Sequence, residues 1–244
     1  MNDQRDLEGS SALITGATSG IGRAAAKELG RHGAEIVVHG RDLNRGSAVV
    51  DTITAEGGKA RFVAADLSDP AQVDYLVDQV GAVDVLVNNA GFSWFGPTAD
   101  LDVATFDRLF AANVRAAYFL VAALAPKMAA RGSGSIISLG SMAGQIGLAG
   151  GAAYSATKAT LAAMTRSWAA EFSPSGVRVN AIAAGPVLTN GAAPDRIEAL
   201  GATTLLARPA QPGEIASVIA FLASPKASYI SGAVIAADGG RTAI

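Results

Sequence analysis

Short apolar runs alternate along the chain with longer segments in which apolar residues recur every three or four positions. The apolar runs at 12–15, 36–38, 62–64, 85–87, 136–138, 177–179 and 233–235 are typical of buried strands. The periodic segments at 21–31, 43–56, 71–80, 102–130, 153–172 and 212–223 are predicted helices. Buried strands separated by helices predict an α/β protein with a doubly wound parallel sheet of seven strands and helices on both faces.

The domain organisation is simple. No internal repeat occurs, and no linker divides the chain into zones of different composition, so we expect a single domain over residues 1–244. The segment 187–209 carries Gly and Pro with weak periodicity after a strand. We predict that it is a mobile flap over the functional site, and an ordinary surface loop is the alternative.

Composition excludes several classes of protein. Half of the residues are apolar and 16% are charged, which excludes a disordered chain. A net charge of −2 gives no indication of nucleic-acid or anionic-membrane binding. Without cysteine, and with two histidines, we expect no metal site. Residues 1–9 are polar, and no apolar run reaches the roughly 20 residues that span a bilayer, so we expect a soluble cytoplasmic protein.

A glycine-rich turn follows the first predicted strand and opens the first helix. Gly16, Gly20 and Gly22 would let the backbone turn sharply and approach a ligand without a Cβ clash. The N-terminus of the helix would present free N–H groups and a partial positive charge to phosphates. The turn therefore predicts a dinucleotide-binding site, although glycines alone also serve plain tight turns.

Residues after the second, third and fourth strands would meet the rest of a dinucleotide. Arg41 suits a ribose 2′-phosphate by its charge and donor fork, which favours NADP over NAD, and a solvated loop charge is the alternative. We place Asp42 one step beyond the strand, as the N-cap of the next helix. Asp66 could accept a hydrogen bond from adenine or could start a helix. The small and amide residues at 88–91 permit close cofactor approach, or form a plain turn.

Tyr154 and Lys158 are four residues apart, which places them on one face of a predicted helix. A phenol titrates near 10, and we expect the nearby ammonium to lower its pKa toward a value useful in acid–base catalysis. Ser141 follows the fifth strand and could hydrogen-bond the same substrate oxygen. Asn113 lies inside a predicted helix and could bind a water that relays protons to Lys158.

Taken together and in this order, these residues closely resemble the short-chain dehydrogenase/reductase family, whose fold is Rossmann-like. The resemblance covers nearly the whole chain and includes members that act as 3-oxoacyl-ACP, sugar and ketone reductases. It rests on the segments 15–22, 88–91, 154–158 and 179–186, together with Asp66, Asn113, Ser141 and Thr189.

The resemblance implies roles for particular residues. Asn113, Ser141, Tyr154 and Lys158 correspond to the catalytic tetrad of the family, and Gly185, Pro186, Val187 and Thr189 to its nicotinamide-binding segment. The full set of implied cofactor-binding residues is Gly16, Thr18, Ser19, Gly20, Ile21, Gly22, Arg41, Asp66, Leu67, Asn89, Ala90, Gly91, Tyr154, Lys158, Pro186, Val187 and Thr189. Family members also form tetramers, so the resemblance implies a homotetramer or homodimer.

Two departures from the family pattern are present. Ala184 stands where proline is usual, and Ser19 stands where many NADP-preferring members carry a basic residue. Arg41 would then hold a 2′-phosphate largely alone.

The leading hypothesis is therefore an NADP(H)-dependent reductase of a ketone or 3-oxoacyl group, which also runs in reverse as an alcohol dehydrogenase. A catalytically silent nucleotide sensor is the alternative. A hydrolase is disfavoured because Ser141 is not in a Gly-x-Ser-x-Gly turn. Trp94, Gln145, Ser141 and Tyr154 are the expected walls of the substrate pocket. The aromatic residues near 92–95 suggest an apolar or ring-bearing substrate, and core packing under the edge of the sheet is the alternative.

Overall fold

The computed structural model describes residues 5–189 and 193–244 and contains one parallel sheet. Its strands are β1 (Ser11–Ile14), β2 (Glu35–Gly40), β3 (Lys59–Ala64), β4 (Val85–Asn88), β5 (Gly134–Leu139), β6 (Val177–Ala184) and β7 (Val234–Ala237). Their order in the sheet is β3-β2-β1-β4-β5-β6-β7, and every neighbouring pair is parallel. The predicted seven-stranded parallel sheet is confirmed.

Helices cover both faces of this sheet. They are α1 (Gly20–Arg31), α2 (Leu43–Ala55), α3 (Pro70–Val80), α4 (Val103–Phe110), α5 (Ala116–Arg131), α6 (Ala152–Phe172), α7 (Pro194–Gly201) and α8 (Pro212–Ala223). On one face, Leu29 and Ile219 belong to a core formed with α1, α2 and α8. On the other, Leu76, Leu124 and Trp168 belong to a core formed with α3, α5 and α6. The two apolar layers share one sheet, so the chain forms the expected single domain.

Aspartates set the starts of several helices. The carboxylates of Asp42, Asp69 and Asp102 accept hydrogen bonds from backbone N–H groups in the first turns of α2, α3 and α4, respectively. Such a bond satisfies an N–H that has no partner inside the helix. The prediction that Asp42 is an N-cap is confirmed, whereas Asp69 rather than Asp66 caps α3.

The segment 102–130 is not the continuous α-helix that its periodicity predicts. α4 ends at Phe110, a π-helical turn occupies Ala111–Arg115, and α5 follows. In this turn the backbone N–H of Ala116 donates to the carbonyl of Ala111, five residues earlier. A π turn inserts one extra residue into a helix, and apolar periodicity over a long window does not reveal it.

The combined run Val103–Arg131 is long and apolar enough, by length and composition, to cross a membrane. The expectation that no segment reaches that length rested on a count of uninterrupted apolar residues only. This run is longer because it includes the charged residues Arg115 and Lys127. Leu120, Leu124 and Met128 on α5 are fully buried against the sheet. One face of α5 therefore packs into the protein core.

The segment 187–209, predicted as a flap, contains regular structure. α7 lies within it, and Val187 forms a parallel bridge with Ala210. The backbone N–H of Leu188 donates to the carbonyl of Ala210, so the two ends of the segment are joined. Residues 190–192 lie outside the described residues. The mobility of the segment stays a prediction.

Candidate active site

The predicted site residues follow the carboxyl ends of successive strands. Gly16 follows β1, Arg41 follows β2, Asp66 follows β3, Asn89 follows β4 and Ser141 follows β5. β1 and β4 are neighbours in the sheet although β2 and β3 separate them in the chain. In doubly wound sheets, the crevice above such a reversal of strand order is where ligands bind.

The glycine-rich turn leads into α1, and the backbone N–H groups in the first turn of this helix are available to bind a ligand. Gly16 and Gly20 have φ values of 64° and 52°, a region that favours glycine. A Cβ added to Gly22 would lie 2.4 Å from the Gly16 carbonyl oxygen. Within the described residues, Ser19 at the N-cap of α1 makes no side-chain capping bond, and the first turn carries no acidic residue. Its unpaired N–H groups and positive dipole end suit an anion.

Two side chains hold this turn in place. His39 Nδ1 accepts a hydrogen bond from the Gly16 N–H at 3.2 Å, and its Nε2 donates to the Ala65 carbonyl at 3.1 Å. Burial lowers the pKa of His39 from 6.5 to about 4, so the ring is neutral near pH 7. Asn89 Nδ2 donates to the carbonyls of Thr15 and Gly16, at 2.8 and 3.2 Å. Sequence reading missed His39, although a lone polar side chain in a buried strand was a usable signal.

Arg41 and Asp66 face each other at the other end of the crevice. Arg41 Nη1 lies 3.9 Å from Asp66 Oδ2 in an exposed ion pair. Asp66 Oδ1 accepts hydrogen bonds from the Ser68 N–H and hydroxyl, at 3.0 and 2.8 Å. The Ser68 N–H is the main reason that the pKa of Asp66 is lowered. Asp66 is therefore an ionised partner of Arg41, and the neighbouring Leu67 side chain is buried in the core.

The segment after β6 reaches the glycine-rich turn. A Cβ added to Gly20 would lie 3.1 Å from Thr189 Cγ2. Thr18 extends toward β2, because a Cβ on Gly40 would lie 2.4 Å from its Cγ2. Pro186 follows β6 and Val187 is buried. The structure thus gathers both ends of the predicted cofactor-binding set around one crevice.

α6 presents Tyr154 and Lys158 to the same crevice. Lys158 Nζ donates to the Leu139 carbonyl at 2.7 Å and lies 5.8 Å from the centroid of the Tyr154 ring. Ser141 Oγ accepts a hydrogen bond from the Ala143 N–H at 3.1 Å. This bond uses the oxygen of Ser141 as an acceptor, so its hydroxyl proton can be donated to the neighbouring Tyr154 oxygen.

The pKa values of this group differ from the sequence-based expectation. Burial raises the pKa of Tyr154 above 10.0, and a hydrogen bond with Ser141 acts in the opposite direction. Burial also lowers the pKa of Lys158 from 10.5 to about 8. The expectation that Lys158 lowers the pKa of the phenol is not met in this structure. Burial disfavours the charged form of Lys158, and its ammonium donates to the Leu139 carbonyl.

Asn113 lies in the π turn, where its amide joins two parts of the site. Its Oδ1 accepts from the Phe92 N–H at 3.0 Å, and its Nδ2 donates to the Phe92 carbonyl and to Thr157 Oγ1, at 2.9 and 3.1 Å. Thr157 in turn donates to the Tyr154 carbonyl at 2.7 Å. A Cβ on Gly91 would lie 2.5 Å from Asn113 Oδ1. Both amide protons are used, so a relay water would have to donate to the second lone pair of Asn113 Oδ1, and the expected water stays a prediction.

The predicted pocket walls lie on two loops that touch each other. The Gly96 N–H donates to the Gly150 carbonyl at 3.0 Å, which joins the loop after β4 to the loop before α6. Trp94 packs over Gly96, because a Cβ there would lie 3.0 Å from its indole ring. Gln145 is exposed on the other loop, at the end of the 3-10 turn Met142–Gly144.

Phe95 and Arg196 complete this wall. The centroids of the Phe95 and Tyr154 rings are 5.4 Å apart, and the guanidinium carbon of Arg196 is 3.8 Å from the Phe95 centroid. Sequence reading did not single out Arg196, because its contact with a residue a hundred positions earlier leaves no local pattern.

Comparison with known proteins identifies the family. A family model described as enoyl-(acyl carrier protein) reductase matches residues 16–242. The chain is 38% identical over 242 residues to cis-4-hydroxycyclohexanecarboxylate dehydrogenase of Sinomonas cyclohexanicum, with 96% of each chain covered. The chain belongs to the short-chain dehydrogenase/reductase family. It is an oxidoreductase that acts on alcohol and carbonyl groups with a nicotinamide cofactor.

Solved structures of short-chain dehydrogenases/reductases agree with this assignment. One, described as a short chain dehydrogenase/reductase family protein, has a TM-score of 0.91 and 48% identity, covering 98% of this chain and 100% of its own. A 3-oxoacyl (acyl-carrier-protein) reductase of Agrobacterium tumefaciens C58 with NADP bound has a TM-score of 0.92 and 31% identity, covering 97% and 96%. The resemblance, fold and reaction class drawn from the sequence are confirmed, and the roles of individual residues stay predictions.

Proposed function

We propose that this protein is an NADP(H)-dependent ketone reductase, reversible as a secondary-alcohol dehydrogenase, with Tyr154 as its general acid and base. One observation carries the proposal. Tyr154, Ser141 and Lys158 lie together at the carboxyl edge of the sheet, beside the crevice that starts at the glycine-rich turn. A proton donor, a second hydroxyl and a fixed cation are what carbonyl reduction requires beside a nicotinamide.

The residues present fit a dinucleotide. α1 begins without a side-chain cap or an acidic first turn, whereas α2, α3 and α4 begin with an aspartate cap. A carboxylate at the start of α1 would repel a pyrophosphate, and Ser19 does not. Gly16 and Gly20 have no side chain to block a phosphate there, and the side chains of Thr18 and Thr189 lie beside the same turn. These residues would hold the pyrophosphate, and Pro186 with Val187 would lie along the nicotinamide half.

The preference for NADP rests on Arg41. Its side chain is exposed at the end of β2, where the adenosine ribose of a dinucleotide lies in this fold. Asp66 competes for the same guanidinium across 3.9 Å, but a 2′-phosphate carries more charge and matches the donor fork of arginine better. The NADP bound to the Agrobacterium reductase is consistent with this preference.

Proton transfer is assigned to the side chains of α6 and of the turn after β5. When bound, the nicotinamide supplies or accepts a hydride at its C4 position. The Tyr154 hydroxyl gives its proton to the carbonyl oxygen in reduction and takes it back in oxidation. When substrate is bound, Ser141 donates its hydroxyl proton to the same oxygen and fixes the position of that oxygen. Lys158 donates one hydrogen bond to the Leu139 carbonyl and keeps two further N–H donors, which would bind the ribose hydroxyls of the cofactor.

Asn113 acts as a positioning residue in this proposal. It fixes the loop after β4 through both backbone groups of Phe92 and reaches the backbone of Tyr154 through Thr157. The loop carries Gly91, which must stay small beside Asn113. The amide therefore sets the distance between the pocket wall and the acid/base residue.

The substrate class is a ketone or secondary alcohol with a ring or another compact apolar body. Trp94 and Phe95 line the wall, and the relative from Sinomonas acts on a hydroxylated cyclohexane. A 3-oxoacyl thioester is the second candidate, favoured by the Agrobacterium relative, a 3-oxoacyl (acyl-carrier-protein) reductase.

Replacement of Tyr154 by Phe tests the proposal. With NADPH and a panel of cyclic ketones, sugars and 3-oxoacyl thioesters, we expect turnover by the wild type and a loss of at least about 100-fold in kcat in Tyr154→Phe, because general acid–base catalysis contributes about 100- to 10,000-fold. NADPH affinity, measured by fluorescence titration, should be retained. Tyr75→Phe on the exposed face of α3 is the matched control. NADPH binding by the wild type without turnover of any substrate would instead favour the sensor.

The cofactor preference needs its own measurement. We expect Arg41→Ala to raise the Michaelis constant for NADPH while leaving that for NADH nearly unchanged. Arg166→Ala, which removes an exposed cation on α6, is the control. An unchanged constant for NADPH would remove the argument for NADP.

We also propose a homotetramer or homodimer located in the cytoplasm. Phe106 on α4 and Tyr118 and Phe119 on α5 are large apolar side chains that the monomer leaves 41%, 48% and 53% exposed. An exposed patch of this kind marks interaction sites. Sedimentation velocity of the wild type against Phe119→Glu tests the association, and a monomeric wild type would refute it.

A further inference from the structure

A cation stands next to the proposed reaction centre, in a position that proton and hydride transfer do not require. Arg196 of α7 places its guanidinium carbon 3.8 Å from the centroid of the Phe95 ring, within cation–π distance. The same ring lies 5.4 Å, centroid to centroid, from Tyr154. One aromatic ring therefore separates a positive charge from the proposed general acid.

Phe95 is fixed to the element that carries Tyr154. A Cβ added to Gly151 would lie 2.8 Å from Phe95 Cε1, so the ring fits against a residue that has no side chain. Gly151 is the N-cap of α6, three residues before Tyr154. The Gly96–Gly150 hydrogen bond joins the same two loops on the other side. The Phe95 ring therefore packs directly on the start of α6 near Tyr154, and Arg196 contacts the same ring.

The stacked geometry leaves the donors of Arg196 available. A guanidinium that stacks on a ring uses its face, and its five N–H groups point outward in its plane. Arg208 and Arg41 are paired with Glu214 and Asp66. In the part of the chain that the structure describes, Arg196 has no ion pair of this kind, although Asp195 and Glu198 share its helix. Its side chain is oriented by Phe95 and still lacks an anion.

We propose that Arg196 is a specificity-determining residue that binds a carboxylate on the substrate. The preferred substrates are then cyclic ketones, and the matching alcohols, that carry a carboxylate about one ring away from the reacting oxygen. Arginine binds a carboxylate through two parallel, charge-assisted hydrogen bonds, which fix orientation as well as position. The inference rests on the proposed function, because it assumes that the reacting oxygen lies at Tyr154.

The spacing separates this substrate class from carrier-linked thioesters. The phosphate of a pantetheine arm lies at its far end, many bonds beyond the thioester, and cannot reach Arg196 while the 3-oxo group is at Tyr154. We expect a carboxylate across a six-membered ring from the ketone to reach it, because Arg196 and Tyr154 contact the same Phe95 ring. Trp94, on the same loop as Phe95, supplies an apolar surface for such a ring.

Kinetics with a charged substrate and its neutral ester test the assignment. The probes are 4-oxocyclohexanecarboxylate and its methyl ester, each with NADPH, followed by the absorbance of the reduced cofactor. We expect wild type to prefer the acid in kcat/KM, and Arg196→Gln to lose about 10- to 100-fold on the acid, mostly in KM, with little change on the ester. Arg196→Lys should recover only part of the loss, because it keeps the charge without the planar fork.

Glu198→Gln is the matched control, since it removes an exposed charge from the same helix. It should leave the acid unaffected or slightly favoured, which would show that α7 is intact. Equal losses on acid and ester in Arg196→Gln, or no preference for the acid in wild type, would overturn the inference. Both results leave the proposed function standing as long as the ester or another neutral ketone is reduced in a Tyr154-dependent manner. Reduction of no ketone would defeat both proposals together.

Discussion

Thr157 offers a sharp test of how the site is positioned. It is fully buried on α6, accepts a hydrogen bond from Asn113 Nδ2 at 3.1 Å and donates one to the Tyr154 carbonyl at 2.7 Å. Thr157→Val keeps the shape of the side chain and removes the hydroxyl. One N–H of the buried Asn113 amide then loses its hydrogen-bond acceptor.

The cost follows from those two bonds. A buried donor without an acceptor costs about 1–3 kcal/mol, so we expect the free energy of unfolding to fall by about that amount. The loop after β4 loses one of its links to α6, and we therefore expect kcat to fall as well. NADPH affinity should be retained, because the glycine-rich turn is held by His39 and Asn89 instead.

Urea unfolding and steady-state kinetics would measure these effects in Thr157→Val, in Asn113→Ala and in the double variant. The two single losses should not add, since either change breaks the same link. Thr160→Val is the matched control, because its hydroxyl only bonds back to the Ala156 carbonyl at 2.8 Å. A Thr157→Val protein as stable and active as wild type, or losses that add in the double variant, would refute the reasoning.

Three further expectations concern ionisation and backbone conformation. His39→Phe removes the acceptor for the Gly16 N–H, so NADPH affinity should fall while the sheet remains folded by circular dichroism; an unchanged dissociation constant would exclude this role. Burial lowers the pKa of Lys158 from 10.5 to about 8, so between these values the unfolded chain binds more protons. Stability of wild type relative to Lys158→Met should then rise by up to about 3 kcal/mol from pH 8 to 10.5, and a flat difference would contradict the burial effect. Ala207 has a φ of 52°, so Ala207→Gly should raise thermal stability slightly, by at most about 1 kcal/mol. Ala202→Gly, at a φ of −60°, should lower it.

The sheet was predictable because its signal is local. Each strand is a short apolar run that must be buried on both faces, and each lies between helices with a clear period. The order of the strands was not predicted, because right-handed crossovers allow more than one order in a doubly wound sheet. Asp42 was also placed correctly as a cap, because a capping residue acts within three positions of itself.

The rest depended on contacts between distant parts of the chain. Asn113 was singled out as an amide inside a predicted helix. Its partners Phe92 and Thr157 are 21 and 44 residues away, so its hydrogen bonds could not be predicted from spacing. The raised pKa of Tyr154 depends on burial, which periodicity does not measure. Arg196 meets Phe95 only through the fold, and α7 was hidden within a segment of weak periodicity.

Because of the π turn at Ala111–Arg115, the number of residues in this segment determines how α5 is oriented relative to α4. Removal of one residue there would restore an ordinary α-helix and rotate everything after it by about 100° relative to α4. Either Leu120 and Leu124 would turn away from the core, or Asn113 would lose its hydrogen bonds to Phe92. No single side-chain replacement could restore both sets of contacts. Related chains that keep this amide are therefore expected to tolerate substitutions across the turn more readily than a single insertion or deletion.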